Sequence, residues 1–147
     1  MEGKGYDNLN KIAYELNNGK GYVKIYNDRG KLSFVGEFLN GEENRKGKEY
    51  NDYGNLIFEG EYLKNKIYGK CKRYNDKGNL IFEGEYLDHK RHGKVKEYYD
   101  GKLLFEGEYL YGFKIKGKYY LNGKLEFDGE FRYNKNIMEK DMMKMEI

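Results

Sequence analysis

The chain has 147 residues, with 28 Lys plus Arg against 25 Asp plus Glu, 20 Gly, 17 Tyr, 8 Phe and no Pro. That length suits one domain, and a net charge of +3 is too weak to imply nucleic acid as a partner. No run approaches the ~18 consecutive apolar residues of a membrane-spanning helix.

Leu, Ile, Val and Phe together make up 32 residues, a share close to that of chains that fail to fold. The abundance of aromatics and the even placement of glycine argue against disorder, but a thick conventional core is not expected. The opening residues, MEGKGYDNLN, lack the apolar stretch of a signal peptide. The lone Cys71 has no internal disulfide partner. A reducing, cytoplasmic location is therefore expected.

Internal repeats organise the chain. It opens with a degenerate unit, Gly3-Lys4-Gly5-Tyr6 followed by Ile12-Ala13-Tyr14-Glu15-Leu16. Five fuller units follow. Each has a Lys-x-Tyr run, a turn glycine, then a Phe-x-Gly-Glu-aromatic run. The Lys-x-Tyr runs are Lys24 to Tyr26, Lys48 to Tyr50, Lys72 to Tyr74, Lys96 to Tyr98 and Lys118 to Tyr120. The turn glycines are Gly30, Gly54, Gly78, Gly101 and Gly123. The second runs begin at Phe34, Phe58, Phe82, Phe105 and Phe127, and their glycines, Gly36, Gly60, Gly84, Gly107 and Gly129, lie 24, 24, 23 and 22 residues apart.

Each unit reads as a β-hairpin, because short runs rich in Tyr and Phe are bounded by Asn, Asp and Gly. In the third full unit Phe82, Gly84 and Tyr86 share one face, and Glu83 and Glu85 the other. The preferred register sets Lys72 across from Glu83, Lys70 from Glu85 and Cys71 from Gly84. It gives opposite-charge pairs and puts small residues where rings need room; a one-residue slip would lay lysines among the rings. Six hairpins stacked edge to edge would draw stability from nearest-neighbour interfaces. Twelve strands at about 4.8 Å would make a ribbon on the order of 55 Å long. The expected fold is all-β, an elongated single-layer antiparallel sheet over residues 1–134. Residues 135–147 form a tail in which Met138, Met142 and Met145 share one helical face, readable as a short capping helix or a frayed end.

The stretch from Phe82 to Gly101, FEGEYLDHKRHGKVKEYYDG, resembles the MORN ("membrane occupation and recognition nexus") repeat. The shared pattern is aromatic-Glu-Gly-Glu-aromatic, a short Lys-rich turn, His-Gly-Lys and an aromatic strand ending in Asp-Gly, and it recurs in at least five units. Tyr or Phe stands where the family usually carries Trp, and Cys71 and Val95 replace a family glycine. The Lys-x-Tyr strand is shifted as in the MORN-like variants of bacterial antitoxin-type proteins and lower eukaryotes. The resemblance implies a single-layer β ribbon and roles in scaffolding, self-association and contact with acidic phospholipids.

Phe82, Gly84, Tyr86, Gly60 and Gly107 read as residues the repeat needs in order to fold, each ring packing on glycines and rings of the neighbouring unit. Tyr26, Tyr50, Tyr74 and Tyr98, on the more exposed face, are candidates for binding a partner. So are Lys48, Lys72 and Lys96, which stacked repeats would align into a stripe able to attract anionic headgroups. The glutamates beside them would cancel much of that field, which makes a solvated charge ladder the plainer reading. His89 and His92 have the spacing of a metal pair, but the sequence supplies no further ligands. Cys71 reads as a packed thiol. Carboxylate pairs such as Glu83 and Glu85 recur in unit after unit, whereas an active site is singular. The expectation is a non-enzymatic protein-interaction scaffold without metal or cofactor, whose partner is another protein or a second copy. A peripheral module for anionic phospholipid, or an antitoxin- or immunity-type protein binder, is the alternative.

Overall fold

The computed structural model describes residues 3–6, 12–17, 20–40 and 42–131. Twelve strands occur in it: β1 Gly3–Tyr6, β2 Ile12–Asn17, β3 Lys20–Tyr26, β4 Leu32–Leu39, β5 Glu42–Tyr50, β6 Leu56–Leu63, β7 Lys66–Tyr74, β8 Leu80–Leu87, β9 Lys90–Tyr99, β10 Lys102–Leu110, β11 Phe113–Leu121 and β12 Lys124–Glu130. They form one open antiparallel sheet in which spatial order equals chain order. The fold is thus all-β, with the degenerate first unit supplying β1 and β2. The tail at 135–147, with its expected helix over the methionines, lies outside the described residues.

Local sequence sets the two kinds of turn. Between β3 and β4, β5 and β6, and β7 and β8 runs an Asn-Asp-x-Gly-x loop. In the first, Asn27 Oδ1 accepts from the amides of Arg29 and Lys31 at 3.0 and 2.9 Å; Asn51 and Asn75 repeat the arrangement. The side chain replaces a backbone partner, which is why Asn opens each loop. From β8 onward two-residue turns suffice. Asp100-Gly101 and Asn122-Gly123 both have positive φ at their two positions, the geometry that matches the strand twist of a hairpin. These shorter turns, partly offset by longer strand pairing, contribute to the drop in repeat spacing from 24 to 23 and 22.

Register follows the small residues. One row of facing positions crosses all twelve strands, Gly5, Tyr14, Val23, Gly36, Gly47, Gly60, Cys71, Gly84, Val95, Gly107, Gly117 and Gly129, and from Val23 onward it holds only Gly, Cys and Val. Beside it Lys72 faces Glu83 and Lys70 faces Glu85, and Cys71 faces Gly84, as the charge pattern requires. β-bulges interrupt the ladders on either side of this row, as between Arg73 and Tyr74.

The core lies on one face of the single layer. Phe58, Phe82 and Phe105 are 0%, 1% and 0% exposed, although among the described residues no second sheet covers them. Each ring lies against the small-residue row, as a Cβ at Gly60 would show by coming 2.9 Å from the Phe58 ring and 2.5 Å from Cys71 Cβ. A tyrosine four residues on stands edge-to-face against it, with centroids 5.6 Å apart for Phe58–Tyr62 and 5.5 Å for Phe82–Tyr86, a favoured geometry. A cation from the next strand closes the roof: Arg73 over Phe58 at 5.1 Å, Arg91 over Phe82 at 4.6 Å and Lys114 over Phe105 at 4.5 Å. Full burial of such a ring contributes about 1.5–3 kcal/mol, and the cation adds roughly 0.5–2 kcal/mol. In this way so hydrophilic a chain builds a core one side chain deep.

At Gly84 a Cβ would meet Val95 Cγ1 first, at 2.7 Å, then the Lys94 carbonyl oxygen and Val95 Cα at 2.9 Å, so Val95, where most other units carry glycine or cysteine, adds its own side chain to the packing there.

Candidate functional site

The two faces differ in what they leave available. The ring face carries a second, polar layer that is internally satisfied. Glu97, between Phe82 and Phe105 in register, accepts from Tyr109 Oη at 2.5 Å and Arg91 Nη1 at 3.0 Å, and Lys114 Nζ lies 3.4 Å from its other oxygen. Tyr62 donates to Glu49 in the same manner at 2.5 Å, and Arg73 Nε donates to Tyr86 Oη at 3.1 Å. Burial, reinforced by the Glu97 carboxylate, pushes the Tyr109 phenol far above its ordinary value. These groups hold one another and the rings beneath them.

The opposite face is a trough of about 1270 Å³ running across the strands, its floor the backbone of the small-residue row. Two rows of alternating charge line it. In one, register partners run Lys48, Glu59, Lys72, Glu83, Lys96, Glu106, Lys118, Asp128 without a break. The second holds Lys46, Glu61, Lys70, Glu85, Lys94, Glu108, Lys116 and Glu130. Strand alternation puts both on the face away from the rings. The lysines are exposed and most of the glutamates half-buried. Among the described residues one contact between these rows' members closes to an ion pair, Lys116–Glu108 at 3.6 Å; elsewhere the register partners stand facing each other without one.

The sequence-derived candidates come together here. Lys48, Lys72 and Lys96 are successive cations of the first row, and Tyr50 lines the trough beside them. Tyr74 and Tyr98 are half-buried, and their phenols are committed. Tyr74 Oη donates to Glu59 at 2.6 Å and Tyr98 Oη to Glu83 at 2.5 Å, each reaching back to the preceding hairpin. Burial and then the carboxylate raise both phenols to about 12. Tyr120 and Glu106 continue the series at 2.6 Å. Tyr26 is half-buried at the end of β3. Phe82, Tyr86, Gly60 and Gly107 belong to the ring face and its glycine row.

The remaining candidates separate. His89 Nδ1 accepts from the Ile67 amide at 3.3 Å, and His92 Nδ1 from the Tyr111 amide at the same distance. The two imidazoles thus serve different neighbouring turns. Among the described residues no cluster of three or more His, Cys, Asp or Glu could hold a metal ion. Cys71 is buried, and desolvation pushes its thiol up to about 12, which removes the thiolate a nucleophile needs. Reasoning from sequence missed the cations Arg73, Arg91 and Lys114 as roofing groups. For Arg73 and Arg91 the signal was parity, which puts them on the ring side; Lys114 shares the parity of Lys116 and reaches the rings only past the β-bulge opposite Glu108 and Tyr109. No protein-family model matches the chain, and no curated protein matches it.

Proposed function

We propose that the chain is a MORN-type array of variant repeats acting as a non-enzymatic scaffold that binds protein through its charged trough. One observation carries this reading. The two rows that line the trough hold eight lysines and eight carboxylates in alternation, and the ring face is occupied by its own packing. A membrane presents one sign of charge, and rows of alternating sign spaced at about 4.8 Å cancel its field within the ~8 Å over which it acts at physiological salt. A folded or extended protein segment can present both signs, and complementary placement then selects against wrong partners. The exposed Lys48, Lys72 and Lys96 make the first contacts, and Tyr74 and Tyr98 hold the intervening glutamates in place.

The test pairs two assays on the wild-type chain and on a Lys48→Glu, Lys72→Glu, Lys96→Glu variant. Affinity capture from native cells should recover a protein that the variant loses, and sedimentation with phosphatidylserine or phosphoinositide liposomes should show no binding by either. Salt-sensitive liposome binding lost in the variant, without a captured protein, would replace this reading with the phospholipid one.

A further inference from the structure

The repeat pattern makes the two outer strands of the sheet chemical complements. Among the described residues β12 is paired on one side only, by β11, and β1 on one side only, by β2. Where β10 meets β11, Gly107 faces Gly117 and Glu108 faces Lys116. β12 carries the same Gly-Glu pair as Gly129-Glu130, and β1 carries the same Lys-Gly pair as Lys4-Gly5. Both glycines belong to the same row of facing positions, at its two ends. Phe127 is half-exposed, whereas its equivalents Phe58, Phe82 and Phe105 lie under a cation from the following strand.

We infer that β12 of one molecule pairs antiparallel with β1 of a second copy, Gly129 facing Gly5 and Glu130 facing Lys4, so that the sheet continues from molecule to molecule. The direction is set by the ladder, because β1 runs opposite to β12 just as β11 does. The contact is heterologous, head to tail, and so propagates instead of closing. The symmetric alternative is disfavoured by charge. Two β12 strands in antiparallel register about Gly129 would set Glu130 against Asp128 twice, like charges at paired positions. The edge pairing does not depend on what occupies the trough. It covers the backbone groups that an open edge leaves unpaired.

Sedimentation velocity over a concentration series tests it on the full chain. The wild type should grow through successive oligomers as concentration rises, and salt should weaken the association. Lys4→Glu and Glu130→Lys should each weaken it at least about tenfold, while an equimolar mixture of the two variants, or the double variant, should regain it. Circular dichroism melts identify any variant that fails to fold. A second readout needs no variant: amide hydrogen exchange in residues 125–130 of the wild type should slow with increasing concentration. A chain that stays monomeric throughout, with exchange in that strand independent of concentration, overturns the proposal, as does a mixture of the two variants that associates no better than either alone.

Discussion

The two faces of this sheet solve different problems with the same repeat. On the ring face every side chain is engaged: Phe58 beneath Tyr62 and Arg73, Phe82 beneath Tyr86 and Arg91. On the trough face Lys72 stands across from Glu83 but among the described residues forms no ion pair with it. The difference teaches that charge plays two roles in one protein. Arg73, Arg91 and Lys114 are structural because they lie flat on aromatic rings and shut out water. The ladder lysines stand exposed in solvent and cover no ring.

The contrast breaks most visibly if a ring is removed. Phe82→Ala should destabilise by about 3–5 kcal/mol in a denaturant titration, with unfolding still cooperative across neighbouring hairpins. A loss under about 1 kcal/mol would mean that the ring face is not the core. Overfilling the row beneath should cost less. Gly60→Val puts a branched side chain where even a Cβ meets Cys71 at 2.5 Å, and should destabilise by roughly 1–3 kcal/mol.

Alkali probes both faces in one experiment. The Tyr74 and Tyr98 phenols ionise near 12 in the fold but near 10 in an unfolded chain. The unfolded state therefore loses its protons first, and the stability these phenols confer is complete below pH about 10 and falls as pH rises toward 12. Absorbance titration should show a late-titrating tyrosine class. It should merge with the normal class in Glu59→Gln, Glu83→Gln only as far as the carboxylates, and not burial, cause the shift. Cys71, raised to about 12 by burial, should resist a disulfide reagent at pH 8 in the native chain and react at once in denaturant.

The smallest expected effect is in the ladder. A double-mutant cycle on Lys72→Ala and Glu83→Ala should give a coupling below about 0.5 kcal/mol, as exposed pairs do, and salt should erase it. A coupling above 1 kcal/mol would make the ladder part of the fold and remove the contrast between the faces.

Much of this architecture was legible in the sequence, for identifiable reasons. A period-two alternation next to a regularly placed glycine leaves one register in which Lys72 meets Glu83 and Cys71 meets Gly84, because the slipped register buries lysine. The turn glycines announced their hairpins. What escaped was anything depending on geometry between repeats. Arg73 and Glu97 occupy equivalent places in successive units, yet one roofs a ring and the other gathers Arg91, Tyr109 and Lys114. The reach of Tyr98 back to Glu83 joins residues of different hairpins, and no local pattern encodes it.

The row of small residues from Val23 to Gly129 has a consequence for how such a chain changes length. Because each hairpin meets the same row on both sides, insertion or loss of a whole unit of 22–24 residues leaves every other side chain on its original face. A change by one strand would reverse chain direction, and a change by one residue would turn lysines inward. Length is therefore quantised in steps of two strands, about 9.6 Å each. The array works as a graduated ruler, with alternating charge as its markings, and gene duplication can lengthen it without redesign.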